Sequence, residues 1–236
     1  VDLFMVDSTN AEVPGFTMDP KDGLFRDPRD KTQRPIWICS RFDVLARTRD
    51  AEGEAHGLLL RWRDPDGMAK EWIMPRAMLA GEAAELRARL ASGGVVISPS
   101  QGARQALLEF LTAQMPRDRV RTVPRVGWFF GPQGGAAFVM PGQVIGDLPG
   151  ERVILDLPDR PAPIYRAAGT VKAWRAEVAA RCAGNRRLVL AGSLAFAGPL
   201  LTPLAEEGGG LQFRGASRLG KSTALKASAS VWGAPE

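Results

Sequence analysis

Apolar residues recur every second position in short runs through the first two thirds of the chain, and at helical spacing in much of the rest. Residues 36–39 (Ile-Trp-Ile-Cys) and the alternating Phe42 and Val44 predict strand. So do the short pieces at 15–17 and 24–25, which flank the turn Asp19-Pro20-Lys21-Asp22-Gly23. Residues 58–63 and 69–74 flank Asp64-Pro65-Asp66-Gly67. Proline presets φ and glycine accepts a positive φ, so the pair predicts a hairpin in which Trp62 and Trp72 could pair across the strands. Core packing suits these indoles better than stacking on bases.

Helical spacing (Leu79, Ala83, Leu86, Leu90) predicts a helix over 78–90, stopped by Ser92-Gly93-Gly94. A short strand at 95–97 follows, then a helix from Ser98-Pro99 to about Met115. Residues 126–130 and 137–140 predict strands around a glycine-rich turn. Residues 141–163 read as a proline-spaced connection with short strands near Val144 and Val153. After a boundary near Gly169, Thr170 can cap a helix whose stripe is Val171, Trp174, Val178 and Cys182, and Gly184-Asn185 ends it. An apolar helix then starts at Arg186. Beyond it come Gly208-Gly209-Gly210, a short strand at 211–214, a glycine-bounded loop and a helix to about Trp232. The organisation predicted is α/β. Residues 1–14 are a linker or disordered, 15–168 form a mixed α+β domain, and 169–236 are the truncated beginning of a P-loop NTPase core.

Residues 188–204 carry no charge and approach membrane-spanning length. Gly192, Gly198, Pro199 and Pro203 interrupt them and Glu206-Glu207 follow, so a helix buried within the protein is expected rather than a span. No charged-then-apolar leader opens the sequence. The start at Val1 suggests a segment of something longer.

Composition narrows the chemistry. Of 236 residues, 45% are hydrophobic and 24% charged, as in a soluble globular protein. Cys39 and Cys182 are the only cysteines and His56 the only histidine, too few for a Cys/His zinc site. His56 lies in a polar stretch that reads as a solvated turn, which argues against a His-dependent nucleophile. Two distant cysteines suit a reducing, cytoplasmic compartment. The net charge is +5, and residues 151–236, with 12 basic and 7 acidic residues, contain all of that excess.

One motif carries chemistry. Gly215-Ala216-Ser217-Arg218-Leu219-Gly220-Lys221-Ser222 fits G-x-x-x-x-G-K-[ST] at every position, between an apolar run and a helical one. Gly215 and Gly220 let the backbone bend closely around a ligand. Successive amides then form an anion-binding nest, backed by the positive end of the following helix. Lys221 reaches the β- and γ-phosphates, the Ser222 hydroxyl ligates Mg²⁺, and the Thr223 amide meets the α-phosphate. Only 6 of the 31 basic residues are lysines, so a lysine here favours the phosphate cradle over a bland glycine turn. Hydrolysis also needs a carboxylate on a neighbouring strand and usually an arginine finger. Glu206 and Glu207 read as a solvated loop, so no catalytic residue is assigned.

Several phrases together resemble a family of uncharacterised domains, DUF927. They are residues 35–39, 60–67, 72–75, 126–128, 184–190, 195–201 and 220–225, with Ser230-Val231-Trp232-Gly233. The resemblance covers roughly residue 15 to the end. It implies a protein of phages, plasmids or integrated elements, often downstream of a primase-type domain and taken as the ATPase or helicase-like half. It carries Gly215, Gly220, Lys221 and Ser222 over as the ATP and Mg²⁺ site. It also implies an acidic strand beyond the P-loop, which this chain stops short of.

The reading is therefore a Mg·ATP-binding portion of a helicase-like or primase-associated ATPase, hydrolysing ATP poorly by itself. Its expected partners are a nucleoside triphosphate, with DNA as a candidate, no membrane, and further copies of the full-length parent. The rival is a non-catalytic DNA- or protein-binding module gated by its P-loop. A small-molecule kinase is the weakest alternative. Arg186, Arg187, Arg214 and Arg218 suit phosphates, of nucleotide or of DNA, or form a solvated basic face.

Overall fold

The computed structural model describes residues 12–28, 30, 32–157 and 167–233. Residues 1–11 of the linker or disordered stretch expected at 1–14 lie outside them, as do residues 158–163 of the proline-spaced connection. The fold is α/β. The chain forms two units, one of Val1–Val123 with Asp147–Asp156, the other of Pro124–Gly146 with Leu157–Glu236. It passes between them three times, where the sequence suggested a single boundary near Gly169.

The first unit starts with three antiparallel strands, β1 (Phe16–Asp19), β2 (Gly23–Arg26) and β3 (Ile36–Cys39). Asp19 closes the first turn by accepting from the amides of Asp22 and Lys21, and these bonds hold its carboxyl below the ordinary value. A five-stranded sheet follows, with order β11-β7-β4-β5-β6. It contains β4 (Asp43–Arg49), β5 (Gly57–Arg63), β6 (Ala69–Pro75), β7 (Arg119–Val123) and β11 (Arg152–Leu155). β4, β5 and β6 run antiparallel, while β7 is parallel to both β4 and β11.

The expected hairpin forms. Asp64 in its turn accepts from the amides of Met68 and Asp66. The two indoles do not face each other, because the register sets Trp62 against Lys70 and Trp72 against Leu60. Trp62 turns into the core and donates its Nε1 proton to the Gly93 carbonyl at 2.7 Å. A Cβ on Gly93 would meet that indole at 2.5 Å, so only glycine fits beneath it.

The helix expected over 78–90 is shorter. A 3-10 turn, Arg76–Leu79, is followed by a break with positive φ at Gly81 and Ala83, and α1 runs only over Ala84–Ser92. Residues 95–97 make one isolated bridge, Cys39 to Ile97, rather than a strand. α2 (Gln101–Ala113) is capped by Ser100, which accepts from the Ala103 amide. Its face of Ala103, Ala106, Leu107, Phe110 and Leu111 packs with Leu58, Leu60, Met74, Leu86 and Leu90 as the main core.

β7 has no counterpart in the sequence reading. Arg121 in it is buried. It donates to Glu151 at 3.0 Å and to the carbonyls of Asp50 and Ala51, while Glu151 also pairs with Arg49. Burial, helped by the neighbouring Arg49, pulls the Arg121 guanidinium below its ordinary pKa. The network fastens the segment carrying β11 to β7 and to the end of β4 within the first unit.

The second unit holds a three-stranded sheet of β8 (Gly127–Phe130), β9 (Ala136–Met140) and β10 (Gln143–Asp147), in the order β10-β9-β8. Thr170 caps a continuous helical run made of α3 (Val171–Trp174), a π-helical stretch Arg175–Ala179 and α4 (Ala180–Cys182). Asn185 then caps α5 (Arg186–Leu201) by accepting from the amides of Arg187 and Leu188. The last helix is α6 (Lys221–Ala229).

Two expectations fail here. α5 is apolar but not buried. Among its residues only Ala191 lies below the surface, and Val189, Leu190, Leu194, Phe196 and Leu200 are exposed, because α6 and the side chains around it cover a single side. Residues 211–214 form no strand, since no strand among the described residues pairs with them and an unpartnered run cannot build a ladder. No helix among the described residues is long and apolar enough to cross a membrane.

Candidate functional site

The loop from Gly215 to Gly220 leads directly into α6. Gly220 occupies the position before the helix at φ +78°, a left-handed conformation that favours glycine. A Cβ on Gly215 would meet the Leu219 side chain at 2.9 Å. Arg218 is left-handed as well, at φ +66°, which costs a non-glycine residue on the order of 1 kcal/mol. Such strain persists where surrounding structure dictates the bend, and it clusters at ligand loops.

Lys221 closes the bend. Its Nζ donates to the Gly215 carbonyl at 3.0 Å and to the Ala216 carbonyl at 2.6 Å. The ammonium thus sits across the loop mouth, half-buried, rather than trailing into solvent. Ser222 and Thr223 are exposed in the first turn, and Ala224 is buried. No side chain caps this helix and no acid lies in its first turn, so its leading amides and positive end face outward. Ser217 is exposed, like Arg218 and Leu219 beside it.

A cleft of about 450 Å³ opens beside the loop. Leu219, Gly220, Lys221 and Thr223 line it, whereas Gly215, Ala216, Ser217, Arg218 and Ser222 do not. Its other wall is residues 184–188 with Phe213 and Arg214. Arg186, Arg187 and Arg214 therefore share one cleft with Lys221, although the first two lie more than thirty positions earlier, while Arg218 stays outside. No carboxylate is among the described residues of the lining. The sequence offered charge without placement here; the one local signal was Asn185, whose capping starts α5 at Arg186.

Glu206 and Glu207 are exposed. No group of three or more His, Cys, Asp or Glu that could hold a metal occurs among the described residues, so a Mg²⁺ ion here would depend on Ser222 and the phosphates themselves. An apolar hollow of about 540 Å³ lies by Trp128, Phe138, Pro199 and Trp232, past the far end of α6. Trp174 also reaches that end, donating to the Ser230 hydroxyl at 3.0 Å.

No curated protein sequence matches the chain. Its fold is similar to that of a solved structure described as "SCCmec type IV Cch - active helicase", with a TM-score of 0.68 and 20% identity. The similarity covers 95% of this chain and 42% of that one, so the chain spans less than half the length of that structure. Residues 16–236 match the family "Domain of unknown function (DUF927)", and the chain belongs to it.

Proposed function

We propose that this chain is the Mg·ATP-binding portion of a helicase-like or primase-associated ATPase that acts on DNA in a mobile genetic element. The observation that carries the reading is the Lys221 ammonium folded across the loop onto the carbonyls of Gly215 and Ala216, beside the uncapped first turn of α6. A polyphosphate entering this bend exchanges two neutral carbonyls for charged oxygens, a stronger partner for the ammonium. The amides of residues 215–223 supply the nest, Lys221 the compact charge, and the Ser222 hydroxyl a place for Mg²⁺. When bound, Mg²⁺ offsets the charge on the β- and γ-oxygens. The fold shared with a structure titled as a helicase supports the wider context.

Binding and hydrolysis separate in this chain. The cleft contains basic and apolar groups and no carboxylate among its described lining residues, so nothing there positions an attacking water. Slow or absent turnover is the expectation for the chain by itself. Calorimetric titration with Mg·ATP tests the reading: wild type releases binding heat and Lys221→Ala does not. An equal affinity in the two proteins contradicts it.

A further inference from the structure

The cleft beside the loop raises a question of direction. Thr223, whose amide suits the α-phosphate, lines it, while Ser222, whose hydroxyl suits the metal between β- and γ-phosphates, does not. Lys221 lines it too, so the space adjoins the phosphate loop both at the ammonium and at Thr223, beside the α-phosphate that bears the nucleoside. It runs to the start of α5, and its far wall combines flat guanidinium groups (Arg186, Arg187, Arg214) with the apolar side chains of Leu188 and Phe213.

That mixture is poorly suited to phosphate alone. Leu188 and Phe213 offer a phosphate nothing, whereas a base stacks on guanidinium planes and apolar side chains. Arg186 and Arg187 are exposed, and no ion pair holds either of them among the described residues.

We infer that the segment 184–188, together with Phe213, is the nucleoside half of the site, so that base and ribose rest against the start of α5 while residues 215–223 hold the phosphates. This rests on the phosphate-binding reading of the loop and adds to it a specific role for a segment outside the motif. The start of α5 thereby becomes part of ligand recognition, and the chain prefers a nucleotide to a bare polyphosphate.

The test compares ATP with inorganic tripolyphosphate on the whole 236-residue chain. Arg187→Ala removes an exposed side chain, and Leu188→Ala changes no charge. Each is expected to weaken ATP binding about tenfold, the scale of one lost stacking contact, and to leave tripolyphosphate binding within about twofold. Unchanged ATP affinity in both variants overturns the inference, and so does a loss of tripolyphosphate binding in step with ATP. A wild-type chain that binds tripolyphosphate as tightly as ATP overturns it while sparing the loop. A wild-type chain that binds neither removes the loop reading as well.

Discussion

The indole Nε1 of Trp232 donates at 2.9 Å to the carbonyl of Ala195, the carbonyl that Pro199 leaves without an amide four residues further along α5. The same device recurs one turn on. The Pro199 carbonyl would look to residue 203, which is also proline, and it instead accepts from Trp128 Nε1. Two prolines that each open a gap in the helical ladder are thus matched by two tryptophans from outside the helix. Trp232 lies just beyond α6, so the repair of α5 also anchors the helix that starts at Lys221.

Trp232→Phe keeps an aromatic ring and deletes the donor. Leaving the Ala195 carbonyl unsatisfied should cost about 1–3 kcal/mol in urea unfolding followed by circular dichroism. Adding Pro199→Ala restores an amide to that carbonyl, so the double variant should recover much of the loss. Additive or worsened destabilisation would show that the indole does something else.

Glu151→Ala should destabilise the first unit by about 3–5 kcal/mol, because it removes the carboxylate that pairs with the buried Arg121 guanidinium. Glu151→Gln keeps an acceptor and should lose less. The same denaturation experiment ranks the three proteins, and equal midpoints would contradict the network.

Cys39 is fully buried, and burial pushes its thiol up to about 12 from an ordinary 9.0. The native state therefore holds the protonated thiol while the unfolded chain releases it. This contribution is intact below about pH 9 and drains as the pH climbs toward 12. Iodoacetamide at pH 8 should label Cys182, which is partly exposed, and spare Cys39 until denaturant is added. Rapid labelling of both thiols in the native protein would contradict the burial.

The sequence reveals those parts of the fold that local chemistry decides. Asp64-Pro65-Asp66-Gly67 specifies its turn whatever surrounds it, Thr170 caps the helix it precedes, and the loop at 215–223 is legible from residue types and spacing; Asn185, read as the end of one helix, also caps the next. What stays hidden depends on distant partners. β7 reads as polar because Arg119 and Arg121 interrupt it, and Arg121 is acceptable inside only because Glu151 arrives thirty residues later. Residues 211–214 have strand composition, but no neighbouring strand among the described residues gives them a ladder. The convergence of Arg186 and Arg187 on Lys221 follows from the packing of α5 against α6, which no local pattern announces.

The account depends most on the amides of residues 215–223 closing around a polyphosphate. Hydrogen–deuterium exchange of the peptide spanning 211–229, with and without saturating Mg·ATP, reads those amides directly. Exchange should slow across 215–223 in wild type and stay unchanged in Lys221→Ala. Identical exchange in wild type with and without nucleotide would contradict the account.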